Sequence, residues 1–168
     1  MSDSDRLLHA STRDALDRHG LAYEVMPCDP ALADTAAFVE AYGVPPERSA
    51  NTIVVASKGA EPTYAACVLL ATTSLDVNNV VRRIMEVRKA SFAGADPVRE
   101  LTGMEIGGVT PFGLPDDLPI LVDARVVEPE WIILGGGNRS SKLRLAPSAL
   151  TALPSVRMID GLAFVRAT

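Results

Sequence analysis

Apolar and polar positions change period several times along the chain, and each change marks an element. Over residues 5–19 (DRLLHASTRDALDRH), Leu7, Leu8, Ser11, Ala15 and Leu16 share one stripe at helical spacing, and Gly20 supplies a stop. LAYEVMP (21–27) alternates Leu21, Tyr23 and Val25 with other residues and ends at Pro27, which predicts a short strand. ADTAAFVEAYGVPPE (33–47) predicts a second helix, capped by Asp34 or Thr35, with Phe38, Val39 and Tyr42 on its apolar side and Gly43, Pro45 and Pro46 closing it. NTIVVAS (51–57) and TYAACVLLAT (63–72) read as strands, and KGAEP between them has turn chemistry, so a hairpin is expected. In LDVNNVVRRIME (75–86), Leu75, Val77, Val80, Val81 and Ile84 recur at helical spacing. A short strand follows near Val87–Phe92, then a helix from about Asp96 and Pro97.

The second half is more strand-like. LPILVD (118–123) and WIILG (131–135) are compact apolar runs and KLRLA (142–146) alternates. PSALTAL (147–153) predicts a short helix with Pro147 in its first turn, and a last strand is expected within 156–165. Helices and strands interleave, yet neighbouring strands look hairpin-connected more often than separated by crossover helices. The pattern predicts an α+β fold with a mixed sheet, open or closed on itself, over a doubly wound fold. At 168 residues the chain fits one domain with a real core.

Composition narrows the function. The chain is 48% hydrophobic and 22% charged, and no apolar run reaches the roughly 20 residues needed to span a bilayer. The N-terminus, MSDSDRLLHASTRD, lacks the basic start and greasy stretch of a secretory signal, so a cytoplasmic location is expected and a membrane partner is not. The net charge is −5, with 5 basic and 10 acidic residues in 1–74 and 11 of each in 75–168. A protein that grips long nucleic-acid duplexes by neutralising phosphates should be basic, so DNA binding is not expected. Cys28 and Cys67 are too few for a disulfide framework or a CxxC metal site and read as buried thiols.

Familiar catalytic signatures are missing. The sequence has no GxSxG elbow, no P-loop and no HExxH, and its two histidines, His9 and His19, both fall in the first predicted helix and read as surface residues. No metal or cofactor is expected. GGGNRSS (135–141) has a dinucleotide-loop look, but KLRLAP after it alternates like a strand, whereas a Rossmann loop must open a helix. What remains are two glycine-rich stretches, EIGGVTPFG (105–113) and LGGGNRSSK (134–142). Glycines let main-chain N–H groups approach a ligand, and such donors suit a developing oxyanion; they also make tight turns. On the first reading Thr110 adds a hydroxyl, while Pro111 and Phe112 stiffen the loop and give it an apolar wall.

The order ANTIVVA, a central helix, LTGMEIGGVTPFGL, LPILVD, then GGGNRSSKLRL before a terminal helix resembles the YbaK/EbsC family of aminoacyl-tRNA editing domains, relatives of the insertion domain of bacterial prolyl-tRNA synthetase. The resemblance covers about residues 20–153, and the TG-x-E-x-GG-x-[ST]-P-x-G segment is its most specific part. It implies a compact mixed β-barrel with flanking helices, and hydrolysis of the ester joining a wrong amino acid to tRNA, most often cysteine or alanine on the proline tRNA. It also implies that a shaped pocket, backbone donors and a positioned water, or the substrate's own thiol, replace a triad. The implied partners are the acceptor end of the aminoacylated tRNA and a synthetase. By position, Gly107, Gly108, Thr110 and Pro111 match the family's glycine loop, Thr52 its pocket threonine, and Gly136, Gly137 and Arg139 its later glycine turn. Where the family has lysine before that threonine, the residue most closely tied to deacylation, this chain has Asn51. Lys142 and Arg139 are the cations placed to approach from the other loop, and Arg82, Arg83, Arg88 and Lys89 form a second basic strip. Two functions fit this reading: a trans-acting deacylase with Asn51 and Thr52 orienting the substrate, and a noncatalytic module that binds an aminoacyl group, a nucleotide or a protein in the same pocket.

Overall fold

The computed structural model describes residues 2–166. The hairpin predicted from NTIVVAS and TYAACVLLAT is the centre of the molecule: β2 (Ala50–Ser57) and β3 (Tyr64–Leu70) pair antiparallel from Ala50 opposite Leu70 to Ala56 opposite Tyr64. Residues Ala65–Leu70 are all buried, as a strand covered on both faces requires, which is why that stretch is a continuous apolar run. β5 (Ala90–Phe92) adds antiparallel to β2, while β6 (Ile120–Asp123) and β9 (Val156–Ile159) add parallel on the far side, giving a five-stranded mixed sheet. A second sheet carries β1 (Glu24–Pro27), β8 (Ser141–Leu145) and β7 (Ile132–Gly135), all antiparallel. A parallel bridge between Ser49 and Ile133 brings the two sheets round on one another. β4 (Thr73–Leu75) and β10 (Ala163–Val165) form a separate ribbon.

The helices are α1 (Ala10–Arg18), α2 (Thr35–Tyr42), α3 (Arg82–Met85) and α4 (Ala95–Thr102). Several predicted boundaries change for identifiable reasons. The helix expected over 5–19 is split into a 3-10 turn at Asp5–Leu7 and α1, because Leu8 is extended and His9 caps α1, its Nδ1 accepting from the Ser11 N–H. His9 is half-buried: Nε2 donates to the Gly103 carbonyl and the His9 N–H to the Gly136 carbonyl, which clips the start of α1 to the end of α4 and to the second glycine-rich stretch. The helix expected over 75–86 starts later, since Leu75 belongs to β4. A π turn, Val77–Val81, precedes α3 and turns Val77, Val80, Val81 and Ile84 toward Val55, Cys67 and Leu121. PSALTAL forms a 3-10 helix, Pro147–Ala152, and the strand expected within 156–165 is two strands broken by a turn at Asp160 and Gly161.

The largest core cluster lies between the sheets and α1, with Leu16, Phe112, Ile120, Ile132, Leu143 and Leu150 at its heart. At its edge Asp123 ends β6 fully buried. One of its carboxylate oxygens is 3.4 Å from Arg125 and the other has no partner among the described residues. Burial pushes its pKa above the ordinary value of 3.8, and Arg125 only partly offsets this. The folded state therefore holds the proton more tightly than the unfolded chain. That contribution is full below the unfolded pKa and lost as pH rises through the folded one. Asp123→Asn should raise the thermal midpoint at pH 7 by about 3 °C, with the gain shrinking toward pH 4; an equal effect at both pH values in unfolding followed by circular dichroism would refute this account.

Candidate active site

β5 covers β2 only from Val55 to Ser57, so the first half of β2 is left open on that edge. Across the gap stand the glycine loop and the end of β7, and the seam holds a cavity of about 290 Å³. Apolar walls come from Ile53, Val98, Ile106 and Val109. Polar groups come from Asn51 and Thr52 on β2, Asp34 and Thr35 at the start of α2, Gly107, and Lys142 on β8.

Main-chain groups two residues apart in a strand point to the same edge. The Val54 carbonyl accepts from the Ala93 N–H on the β5 side, so the Thr52 N–H and carbonyl point that way too, just beyond the reach of β5. The Thr52 hydroxyl is buried and has no partner among the described residues. Thr52 thus brings an unpaired hydroxyl to the cavity, and buried polar groups are otherwise almost always paired. Asn51 is different: its Oδ1 accepts from the Thr35 hydroxyl, leaving its amide N–H groups as donors.

Lys142 is only 5% exposed. Its Nζ donates to the Ala33 carbonyl at 2.7 Å and the Gly107 carbonyl at 3.0 Å and lies 5.1 Å from the centre of the Phe38 ring. Burial lowers its pKa; Cys28 and Asp34 pull it back up, and Arg139 pushes it further down. Arg139 sits at the rim, where its guanidinium donates to the Pro30 carbonyl, the Asp34 carboxylate and the Ile106 carbonyl, tying three loops together.

The other residues singled out in the sequence lie outside the cavity lining. Gly108 is where the two glycine stretches meet main chain to main chain: an added Cβ would lie 2.0 Å from the Asn138 carbonyl oxygen, and the Gly108 carbonyl accepts from the Gly137 N–H at 2.7 Å. Gly136 packs against Ser141, and Gly137 against His9 and Thr12. Thr110 and Phe112 are fully buried, Phe112 in the main core, and Pro111 borders a separate groove with Arg18 and His19. Cys67 is in the core of β3, its pKa pushed up to about 12 by burial, and burial raises that of Cys28 as well, so neither is an activated thiol. Among the described residues no three His, Cys, Asp or Glu side chains converge as metal ligands.

Sequence reasoning overlooked Thr35, Ile53, Val98, Ile106 and Val109 as cavity residues. Thr35 was the one with a signal: two candidate caps in succession, of which neither caps α2 with its side chain, because Asp34 turns to Arg139 and Thr35 to Asn51.

Comparison with known proteins agrees with this geometry. The chain is 29% identical over 112 residues to the uncharacterized protein YwhH of Bacillus subtilis, covering 67% of this chain and 69% of that one. Among solved structures, a candidate trans-editing enzyme for prolyl tRNA synthetase superposes with a TM-score of 0.76 at 23% identity, over 95% of this chain and 97% of the other. The hypothetical protein APE2540 superposes with a TM-score of 0.77 at 23% identity, over 89% and 97%. At these identities the superpositions establish a shared fold. The family model of the aminoacyl-tRNA editing domain matches residues 29–153, a span that contains every residue lining the cavity. The chain belongs to the aminoacyl-tRNA editing domain family.

Proposed function

We propose that this chain is a trans-acting deacylase that hydrolyses the ester of a mischarged tRNA, with cysteine or alanine on the proline tRNA as the leading substrates and residues 1–168 working as one domain. The observation that carries this reading is Thr52, with its buried hydroxyl unpaired at a cavity bounded by the glycine loop. An aminoacyl ester is already reactive, so orienting it beside a water and stabilising the oxyanion is enough chemistry. The Gly107 N–H donates to no acceptor among the described residues and, with the Thr52 hydroxyl, is the donor set for that oxyanion. Asn51 orients the ribose or the aminoacyl group through its free amide. At about 290 Å³ the cavity has the volume of roughly ten waters, which suits a small side chain and part of a sugar. A steric limit of this kind rejects larger residues more sharply than a large pocket rejects smaller ones.

The acidic balance of the chain fits an enzyme that holds only the acceptor end, in the cytoplasm where aminoacyl-tRNA is made, with a synthetase as a source of further affinity. A noncatalytic module is the second reading, favoured by uncharged Asn51 at the position the family fills with lysine. A deacylation panel including cysteinyl and alanyl proline tRNA decides between them. The native protein should hydrolyse at least one small aminoacyl ester well above background, and Thr52→Val should lower kcat/KM about tenfold by removing one hydrogen bond. Absence of turnover on every member would end the deacylase reading.

A further inference from the structure

Among the described residues Lys142 is the one cation lining the cavity, and its bonding is incomplete. An ammonium has three N–H donors. Two of them go to the Ala33 and Gly107 carbonyls, and no carboxylate lies within ion-pair distance of Nζ among the described residues. The Phe38 ring covers another side. Two carbonyl acceptors and a ring face hold the amine in place without an ion pair, so a spare donor stands beside the Gly107 main chain. Arg139 offers no equivalent, since its guanidinium is paired with the Asp34 carboxylate and lies outside the cavity lining.

We propose that Lys142 is a catalytic residue of this site, its free N–H donating to the carbonyl oxygen of the aminoacyl ester as that oxygen becomes an oxyanion. This rests on the deacylase reading and supplies from β8 the positive charge that Asn51 does not supply from β2. Water attacks the carbonyl carbon, and the π pair moves onto the oxygen held by Lys142 and the neighbouring N–H groups. As C=O reforms, the carbon–oxygen bond to the ribose breaks, and the ribose oxygen leaves with that pair and takes a proton from the attacking water. The products are the free amino acid and tRNA with its terminal hydroxyl restored. Lys142 ends as it began.

The test uses the full chain and two measurements. The first is deacylation kinetics. Lys142→Met should lower kcat about hundredfold, the usual loss for one oxyanion donor, with KM changing less than about threefold, as expected for a group that acts mainly in the transition state. Adding Asn51→Lys to Lys142→Met should recover at least tenfold, which separates lost charge from lost packing. The second is binding of two stable analogues of alanyl-adenosine, a phosphonate that carries the anionic oxygen and an amide that does not. The native protein should prefer the phosphonate, and Lys142→Met should abolish that preference even where both analogues still bind. Native-like kcat in Lys142→Met, or an unchanged phosphonate preference, overturns the assignment. A native protein that turns over nothing overturns the deacylase reading and the catalytic role with it, and a Lys142-dependent phosphonate preference would then make Lys142 an anion-binding group of the pocket; turnover with no such preference overturns the assignment alone.

Discussion

Gly108→Ala should leave little folded protein to assay. The added Cβ would lie 2.0 Å from the Asn138 carbonyl oxygen and 2.4 Å from its carbon, and these are main-chain atoms that cannot rotate aside. The contact cannot open by moving one loop alone, because the Gly137 N–H bonds the Gly108 carbonyl at 2.7 Å and Gly137 is itself packed on His9 and Thr12. A clash of this kind belongs with the most severe single substitutions, about 4 kcal/mol or more, against a total stability of about 5–15 kcal/mol. The thermal midpoint should fall by more than about 10 °C, or the soluble yield should collapse. Gly161→Ala is the control: its φ is +74° but an added Cβ there meets nothing within 4 Å, so only the left-handed backbone is penalised, by about 1–2 kcal/mol. If Gly108→Ala melted within about 3 °C of the native protein, the two loops would not be locked as described.

Phe112→Ala should be nearly as damaging, and for a reason that separates core from pocket. The ring is completely buried in the main cluster, alongside Leu16, Leu118 and Ile120, and it is absent from the cavity lining. Truncating a buried phenylalanine to alanine removes about 3–5 kcal/mol. Phe112→Leu keeps most of the volume and should lose less than about 2 kcal/mol in urea denaturation, with KM for any turned-over substrate unchanged. A raised KM with stability intact would instead make Phe112 a wall of the substrate site.

These two residues also show where sequence and structure part company. The β2–β3 hairpin was legible because two apolar runs flank KGAEP, and the α+β class followed from the way such runs alternate with helical stretches. Asn51, Thr52, Gly107 and Lys142, singled out from the sequence, are brought to one cavity. Gly108, Gly136 and Gly137 are not, because lacking a Cβ serves the close approach of another loop as well as that of a ligand, and a sequence records only the missing atom. Phe112 beside a glycine loop reads equally as wall or core until the packing is known. Arg139 reads as a cation awaiting an anion, but it is paired with Asp34 and bonded to the Pro30 and Ile106 carbonyls, partners 33 to 109 residues away. The clasp made by His9 was illegible for a similar reason: its partner Gly103 is 94 residues distant, beyond any local pattern.

The seam between the sheets bears on how the protein comes into being. Its cavity is assembled from stretches as far apart as Asp34 and Lys142, and closing such long loops is the slow, entropically opposed part of folding. A chain emerging from the ribosome has no site until β8 has left the tunnel and paired with β1 and β7. On β2 (Asn51, Thr52, Ile53) and on the glycine loop (Ile106, Gly107, Val109) the residues that limit cavity size and those that offer polar groups are neighbours in the chain, so displacing either element removes both. An incomplete or locally opened chain therefore loses its polar groups together with its walls.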